Sequence, residues 1–243
     1  MKTLRQCSIR GVWSWFVLAT TGLAAAPLIA LLPRLAWRRQ AGRAAVRAFL
    51  ALSGVRLRVT GLDRLPRGAA VVVANHASYL DGPVLFAGLP PRFGFVIKKE
   101  VSRLPVAGLL LRRLGHEFVE RFNRHAGAID MRRILRAVAS GRSLAFFPEG
   151  TITARAALGR FHAGAFAAAS RAGVPVVTVV IRGTRRILPA GRVFLQQGTI
   201  EIEVLGTLAP AGDHEHAAAI LRDTARGTIL RALDEPAVES LPA

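Results

Sequence analysis

The sequence predicts an α/β domain, a mixed, largely parallel sheet covered by helices, preceded by an N-terminal membrane-associated helical segment. Three observations predict it. From Val55 onward, short apolar runs rich in valine and isoleucine alternate with longer stretches of helical spacing. Alternation of this kind builds strand–helix–strand units and leaves functional groups on the loops at strand ends. Ahead of that region, residues 11–33 carry no charge at all. Finally, 243 residues of 51% hydrophobic content can bury one sizeable core and a small appendage, but hardly two full domains.

The uncharged run comes first in the chain. As a helix it would measure about 35 Å, enough to cross a hydrocarbon core of roughly 30 Å. Trp13 and Trp15 lie near one end and Trp37 just beyond the other, where amphipathic rings favour the interface. Two other readings stay open. Ala24-Ala25-Ala26 could be a signal-cleavage site, although Pro27 follows at once and the apolar run continues to Leu32. Alternatively Pro27 breaks the helix, so that the segment dips into one leaflet. The sequence does not choose between spanning and dipping.

Leu35 to Leu52 follows as a basic amphipathic helix. Trp37, Ala41, Ala44, Ala45, Ala48 and Leu52 share one face, and Arg38, Arg39, Arg43 and Arg47 lie off it. Such a helix suits a surface of anionic headgroups, with packing on a core as the alternative. Lys2, Arg5 and Arg10 precede the apolar run, whereas Arg34, Arg38, Arg39, Arg43 and Arg47 follow it. The positive-inside rule therefore expects the body of the chain in the cytoplasm, at the inner membrane of a cell. Residues 1–53 are read as membrane anchor and amphipathic helix, and 54–243 as the α/β domain.

Within that domain the expected strands are 55–60, 69–74, 93–97, 117–120, 144–147, 174–181 and 199–205. The expected helices are 83–88, 106–114, 128–139, 164–172 and 215–233. Asn75-His76-Ala77-Ser78-Tyr79-Leu80-Asp81 occupies the first strand-to-helix loop with polar potential. A carboxylate five residues after a histidine can fold back onto one ring nitrogen and leave the other free as a general base. Either residue alone has an ordinary explanation: Asp81 as a helix cap, His76 as a loop histidine bonded to backbone. Further on, Phe147-Pro148-Glu149-Gly150-Thr151 ends another strand, with an ordinary turn as its plainer reading. Arg121 ends the strand begun at Gly115-His116-Glu117, suited to a phosphate or to a surface acid, and Lys98 ends a third strand. Val174-Pro175-Val176-Val177 opens a core strand.

The order and spacing of these four stretches, NHxxxxD, GxxxVxR, FPEGT and VPVV behind a hydrophobic N-terminus, closely resemble the glycerolipid acyltransferase family typified by bacterial lysophosphatidate acyltransferases. The likeness covers Val55 to about Leu208. It implies acyl transfer from acyl-CoA or acyl-carrier protein to a hydroxyl of a lysophospholipid, lysophosphatidate first and another lysolipid such as a lyso-ornithine lipid second. It implies further that His76 takes the acceptor proton while Asp81 holds the imidazole, that Arg121 and Lys98 hold the acceptor's phosphate, and that Glu149, Gly150 and Thr151 help bind it. Asn75 is expected to stiffen the loop beside the substrate. The chain departs from the family pattern at Ile152, where many members have arginine, at His162, where lysine is usual, and at Thr178, where proline is usual. Arg155 or Arg160 could substitute for the missing contact. These departures bear on the acceptor and leave the reaction class intact.

Composition trims the alternatives. The net charge is +19, and 31 of the 34 basic residues are arginine, since lysine stands only at 2, 98 and 99. That calls for an anionic partner, lipid or nucleic acid. One tyrosine and a long uncharged run argue against nucleic acid, which needs stacking platforms. A secreted lipase would need a serine elbow, and no G-x-S-x-G is present. Cys7, the single cysteine, rules out an internal disulfide framework. No metal and no cofactor beyond the acyl-thioester co-substrate are expected.

Overall fold

The computed structural model describes residues 2–120, 123–152, 157–211 and 214–233. Two helices open the chain, α1 (Lys2–Leu31) and α2 (Leu35–Leu52), and the α/β region follows. It runs β1 (Val55–Thr60), β2 (Val71–Ala74), α3 (Asp81–Gly88), β3 (Phe93–Lys98), α4 (Pro105–Arg113), β4 (Glu117–Val119), α5 (Arg124–Ala139) and β5 (Ser143–Phe146). It ends with α6 (Gly164–Ala172), β6 (Val176–Arg182), α7 (Thr184–Ile187), β7 (Gly198–Leu208) and α8 (His214–Ala232). Periodicity places all seven strands; α7 and the two short turns of 3-10 helix, Leu62–Arg64 and Lys99–Arg103, are too brief to show a period.

The seven strands form one sheet in the order β1-β7-β6-β2-β5-β3-β4. β6, β2, β5, β3 and β4 are mutually parallel, whereas β7 runs antiparallel to β6 with β1 parallel to β7. The sheet is thus mixed and largely parallel, as expected. Because side chains alternate along a strand, Val72 and Ala74 enter one core with Val17, Ile29, Leu50, Leu85 and Phe86 from α1, α2 and α3. Val71 and Val73 enter the other with Ile134, Phe166, Leu221 and Ile229 from α5, α6 and α8. Helices therefore cover both faces. All five parallel strands end at one edge, where residues 75–81, 98–99 and 147–150 gather.

α1 is unbroken through Pro27. Its inner face, with Ser14, Val17, Ala25 and Ile29, is buried. Near its start Trp13 donates to the Leu52 carbonyl at 2.9 Å and Trp15 to that of Val193 at 3.1 Å; near its end the Arg113 guanidinium donates to the Ala30 carbonyl. The helix consequently lies along the domain. Its other face leaves Phe16, Leu23, Leu28 and Leu31 exposed.

α2 reverses the orientation expected of it. Trp37, Ala44, Ala48 and Leu52 of its expected stripe face outward, and the buried side carries Gly42, Phe49 and Leu50 together with Arg39. The reason is the supply of helix-end carbonyls. Arg39, only 4% exposed, donates to Leu114 and Gly115 just past the end of α4, and to Pro91 and Arg92. Arg43 and Arg47 donate to Ala87 in the last turn of α3, and Arg38 to Leu32 and Pro33 just after α1. Cations at the carbonyl end of a helix satisfy unpaired acceptors and oppose the dipole.

His116 sits between the edges of Phe86 and Phe95 and accepts the Phe95 N–H on Nδ1 at 3.1 Å. Burial, with Arg39 and Arg142 adding to it, pushes its pKa down to about 3. The unfolded chain protonates this ring below about 6.5 while the folded chain does not, so stability is lost as pH falls from about 6.5 toward 3. Denaturant unfolding should show about 2–3 kcal/mol lost from this group between pH 6.5 and 4.5, and His116→Gln should lose correspondingly less. Parallel pH dependence of the two proteins would exclude this linkage.

Candidate active site

Strand β2 is a four-residue run of buried side chains, and it delivers its next residues to the open edge of the sheet. Asn75 is fastened first. Its side chain donates to the Ile181 carbonyl at 2.9 Å and accepts the Ile181 N–H at 2.8 Å, joining the end of β2 to β6. His76 follows, and its backbone N–H donates to Glu149 Oε1 at 2.7 Å. Its ring stacks on Phe147 at a centroid distance of 4.3 Å. The plane of the imidazole is thereby set by the strand-end loop after β5.

The chain then turns back so that Asp81, the first residue of α3, points at the loop it has just left. Asp81 Oδ2 lies 3.0 Å from His76 Nδ1 and accepts the N–H groups of Ala77 at 2.6 Å and Ser78 at 2.7 Å. Ser78-Tyr79-Leu80-Asp81 has the spacing of a capping box, and the acid reaches back as one does. Ser78 is wholly buried, with its hydroxyl donating to the Leu188 carbonyl and accepting from Leu80 N–H. An oxygen that already accepts two N–H bonds is an acceptor for the ring as well, so the proton belongs on Nδ1 and Nε2 is left with its lone pair. The Asp81 side chain is 0% exposed and that of His76 18%, so the acid is sealed and the base is reachable.

Glu149 is buried beneath this loop. Besides the His76 N–H it takes Gly159 N–H on Oε2 at 2.8 Å. Burial pushes its carboxyl above the ordinary range, against the pull of those two N–H groups. At Gly159 a Cβ would come within 2.9 Å of Glu149 Oε2, so a larger residue there would displace the carboxylate. Gly150 turns with φ of 75°, and a Cβ there would stand 3.1 Å from the His162 ring.

The site residues read from sequence thus separate into two kinds. His76 and Asp81 meet as expected. Asn75 and Glu149, expected beside the acceptor, have their polar atoms committed to the chain itself, which makes them positioning residues. Lys98 is exposed at the end of β3, two strands from β2, or about 10 Å across the sheet. Thr151 is exposed beside Gly150. Arg121 and Arg155 lie outside the described residues. Ser78, Phe147 and Gly159 were not legible beforehand; only the S-x-x-D spacing marked one of them.

The chain is similar to known proteins over most of its length. The family model described as Acyltransferase matches residues 56–182. A chloroplastic 1-acyl-sn-glycerol-3-phosphate acyltransferase of Arabidopsis thaliana is 30% identical over 74% of this chain and 49% of its own. The lyso-ornithine lipid O-acyltransferase of Pseudomonas aeruginosa is 38% identical over 55% of this chain and 50% of its own. The chain therefore spans about half the length of these relatives. The crystal structure of the 1-acyl-sn-glycerophosphate acyltransferase of Thermotoga maritima superposes with a TM-score of 0.73, covering 93% of this chain and 97% of the other at 20% identity, a likeness of fold.

Glu149→Gln tests the positioning role. An amide can accept one of the two N–H groups but must face the other with its own donors, so about 1–3 kcal/mol of stability should be lost, read as a fall in Tm. Thr151→Ala should change stability by no more than about 0.5 kcal/mol. Equal, small effects from both would mean that Glu149 does not hold the loop.

Proposed function

The chain belongs to the acyltransferase family, and on that footing we propose that it transfers an acyl group from an acyl thioester to the free hydroxyl of a lysolipid at a membrane surface. The observation that carries this reading is the His76 ring, bound through Nδ1 to a sealed carboxylate, with Nε2 bare at the open edge of the sheet. Nε2 takes the hydroxyl proton as the acceptor oxygen attacks the thioester carbonyl. Asp81 stabilises the imidazolium that results. The C–S bond then breaks, the thiolate recovers the proton from Nε2, and the ester and free thiol depart. No covalent acyl-enzyme enters the scheme. The donor is acyl-CoA or acyl-carrier protein, and no metal takes part.

Lysophosphatidate is the acceptor most in keeping with the relatives' names, and Arg121 and Lys98 would hold its phosphate. A lyso-ornithine lipid is the second reading, favoured by the 38% identity to the Pseudomonas aeruginosa protein and by Ile152 and His162. The two acceptors differ in whether a phosphate must be held.

Attachment to the membrane is argued from the apolar outer faces of α1 and α2. Phe16, Leu23, Leu28, Leu31, Trp37 and Leu52 form a continuous set on two antiparallel helices, joined by Leu104, Val106 and Leu109 around α4. Because both ends of α1 are tied to the domain, this hairpin would lie in one leaflet with the domain rather than cross away from it. The catalytic edge then faces lipid from the cytoplasmic side of the inner membrane.

His76→Ala should lower transfer by about 10²–10⁴-fold in purified protein while circular dichroism and membrane pelleting stay unchanged; retained turnover would place the base elsewhere. Offered a panel of lysolipids, the enzyme should prefer lysophosphatidate, and Arg121→Ala should raise KM for it. Preference for lyso-ornithine lipid, with Arg121→Ala silent, would install the second acceptor. Leu23→Glu combined with Leu28→Glu should release the protein from carbonate-washed membranes, and persistence in the pellet would move the attachment surface elsewhere.

A further inference from the structure

At the edge of the sheet opposite His76 lies a cleft of about 410 Å³ whose walls include Arg39, Arg67, Arg92 and Arg142. None of its described lining residues is acidic. The charges it presents are poorly compensated. Arg39 is buried and all four of its hydrogen bonds go to neutral backbone carbonyls. Arg92 likewise bonds only the carbonyls of Pro66, Arg67 and Gly68. Arg142 pairs with Glu117 at 2.6 Å, but that carboxylate is shared with Arg133 at 3.0 Å. Arg67 is exposed and, among the described residues, has no partner. Burial, and to a lesser extent the neighbouring Arg142, push the Arg39 pKa down to about 10.

Holding four guanidinium groups around one hollow is costly unless something negative fills it. Planar guanidinium groups match phosphate oxygens through paired N–H donors. The donors already spent on carbonyls fix the side chains in place, and each group retains N–H hydrogens beyond those bonds. We propose that this cleft is a second binding site, separate from His76 and Asp81, that takes a phosphate group.

The acceptor's own phosphate at His76 cannot be the occupant. Ala69 in the cleft wall and His76 are separated by β2 and the residues flanking it, seven steps of extended chain or roughly 20 Å, whereas phosphate and hydroxyl of one glycerol unit are neighbours. Nor does an open channel join the two edges, since helices cover both faces of the sheet. The surroundings favour a lipid as the carrier of the phosphate. Leu35, at the start of α2, lines the cleft, and α1 and α2 carry exposed apolar side chains such as Leu31 and Trp37. A headgroup seated among the arginines would leave its chains along those side chains.

The test uses full-chain protein in detergent and inorganic phosphate as probe, with chloride at equal ionic strength as reference. Phosphate at about ten times its Kd should raise Tm by roughly 3–6 °C. Arg67→Glu and Arg67→Gln should abolish the shift, and Arg171→Glu, an equal change of charge on α6, should keep it. Flotation on phosphatidylcholine vesicles with and without phosphatidylglycerol then identifies the source. Binding to the anionic vesicles that falls about tenfold in Arg67→Glu but not in Arg171→Glu assigns a lipid headgroup. Flotation indifferent to Arg67, with the phosphate shift intact, assigns a soluble phosphate compound. A thermal shift no larger than that of chloride, or one that survives both Arg67 variants, overturns the proposal.

Discussion

Asp81 Oδ2 gathers three N–H groups, two from the backbone it has just left and one from an imidazole, and the arrangement of the open sheet edge depends on it. A carboxylate at 0% exposure would be prohibitively costly alone. Here its charge is met by those donors and by the positive end of α3, on which it sits. The same bonds that make the burial tolerable also fix the ring's tautomer and its direction. Stability of the loop and chemistry of the histidine are therefore one interaction viewed from two sides.

Glu149 repeats the device one strand away. It gathers the His76 N–H and the Gly159 N–H, so that the loop after β2 and the segment following β5 are held in a fixed relation. Asn75 fastens the opposite side to β6. Three buried polar side chains take backbone groups that no ladder bond reaches, and among the described residues Nε2 of His76 has no hydrogen-bond partner.

The large positive charge divides between two uses. Part of it is internal: Arg39, Arg43, Arg47 and Arg38 close the carbonyl ends of α4, α3 and α1, and Arg182 does the same for α8 by donating to Ala232. On α2 the buried Arg39 shares the inner side with Gly42, Phe49 and Leu50, while Trp37, Ala44, Ala48 and Leu52 face outward beside the exposed face of α1. Another group, Arg67, Arg92 and Arg142, stands with Arg39 around the cleft at the far edge.

The sequence by itself determined the strands, because alternating burial leaves a two-residue period and a buried parallel strand a run of valines, as at 71–73. It determined His76 and Asp81 as well, since a five-residue spacing in one loop is local and a turn can close it. It marked the residues after β5 but not their duty. What Glu149 touches, what a side chain at residue 159 would meet, and which face of α2 is inside all depend on groups 10 to 76 positions distant along the chain. Only the tertiary structure decided those, because an arginine's direction is set by where unpaired carbonyls lie, and their positions exist only once the helices have packed.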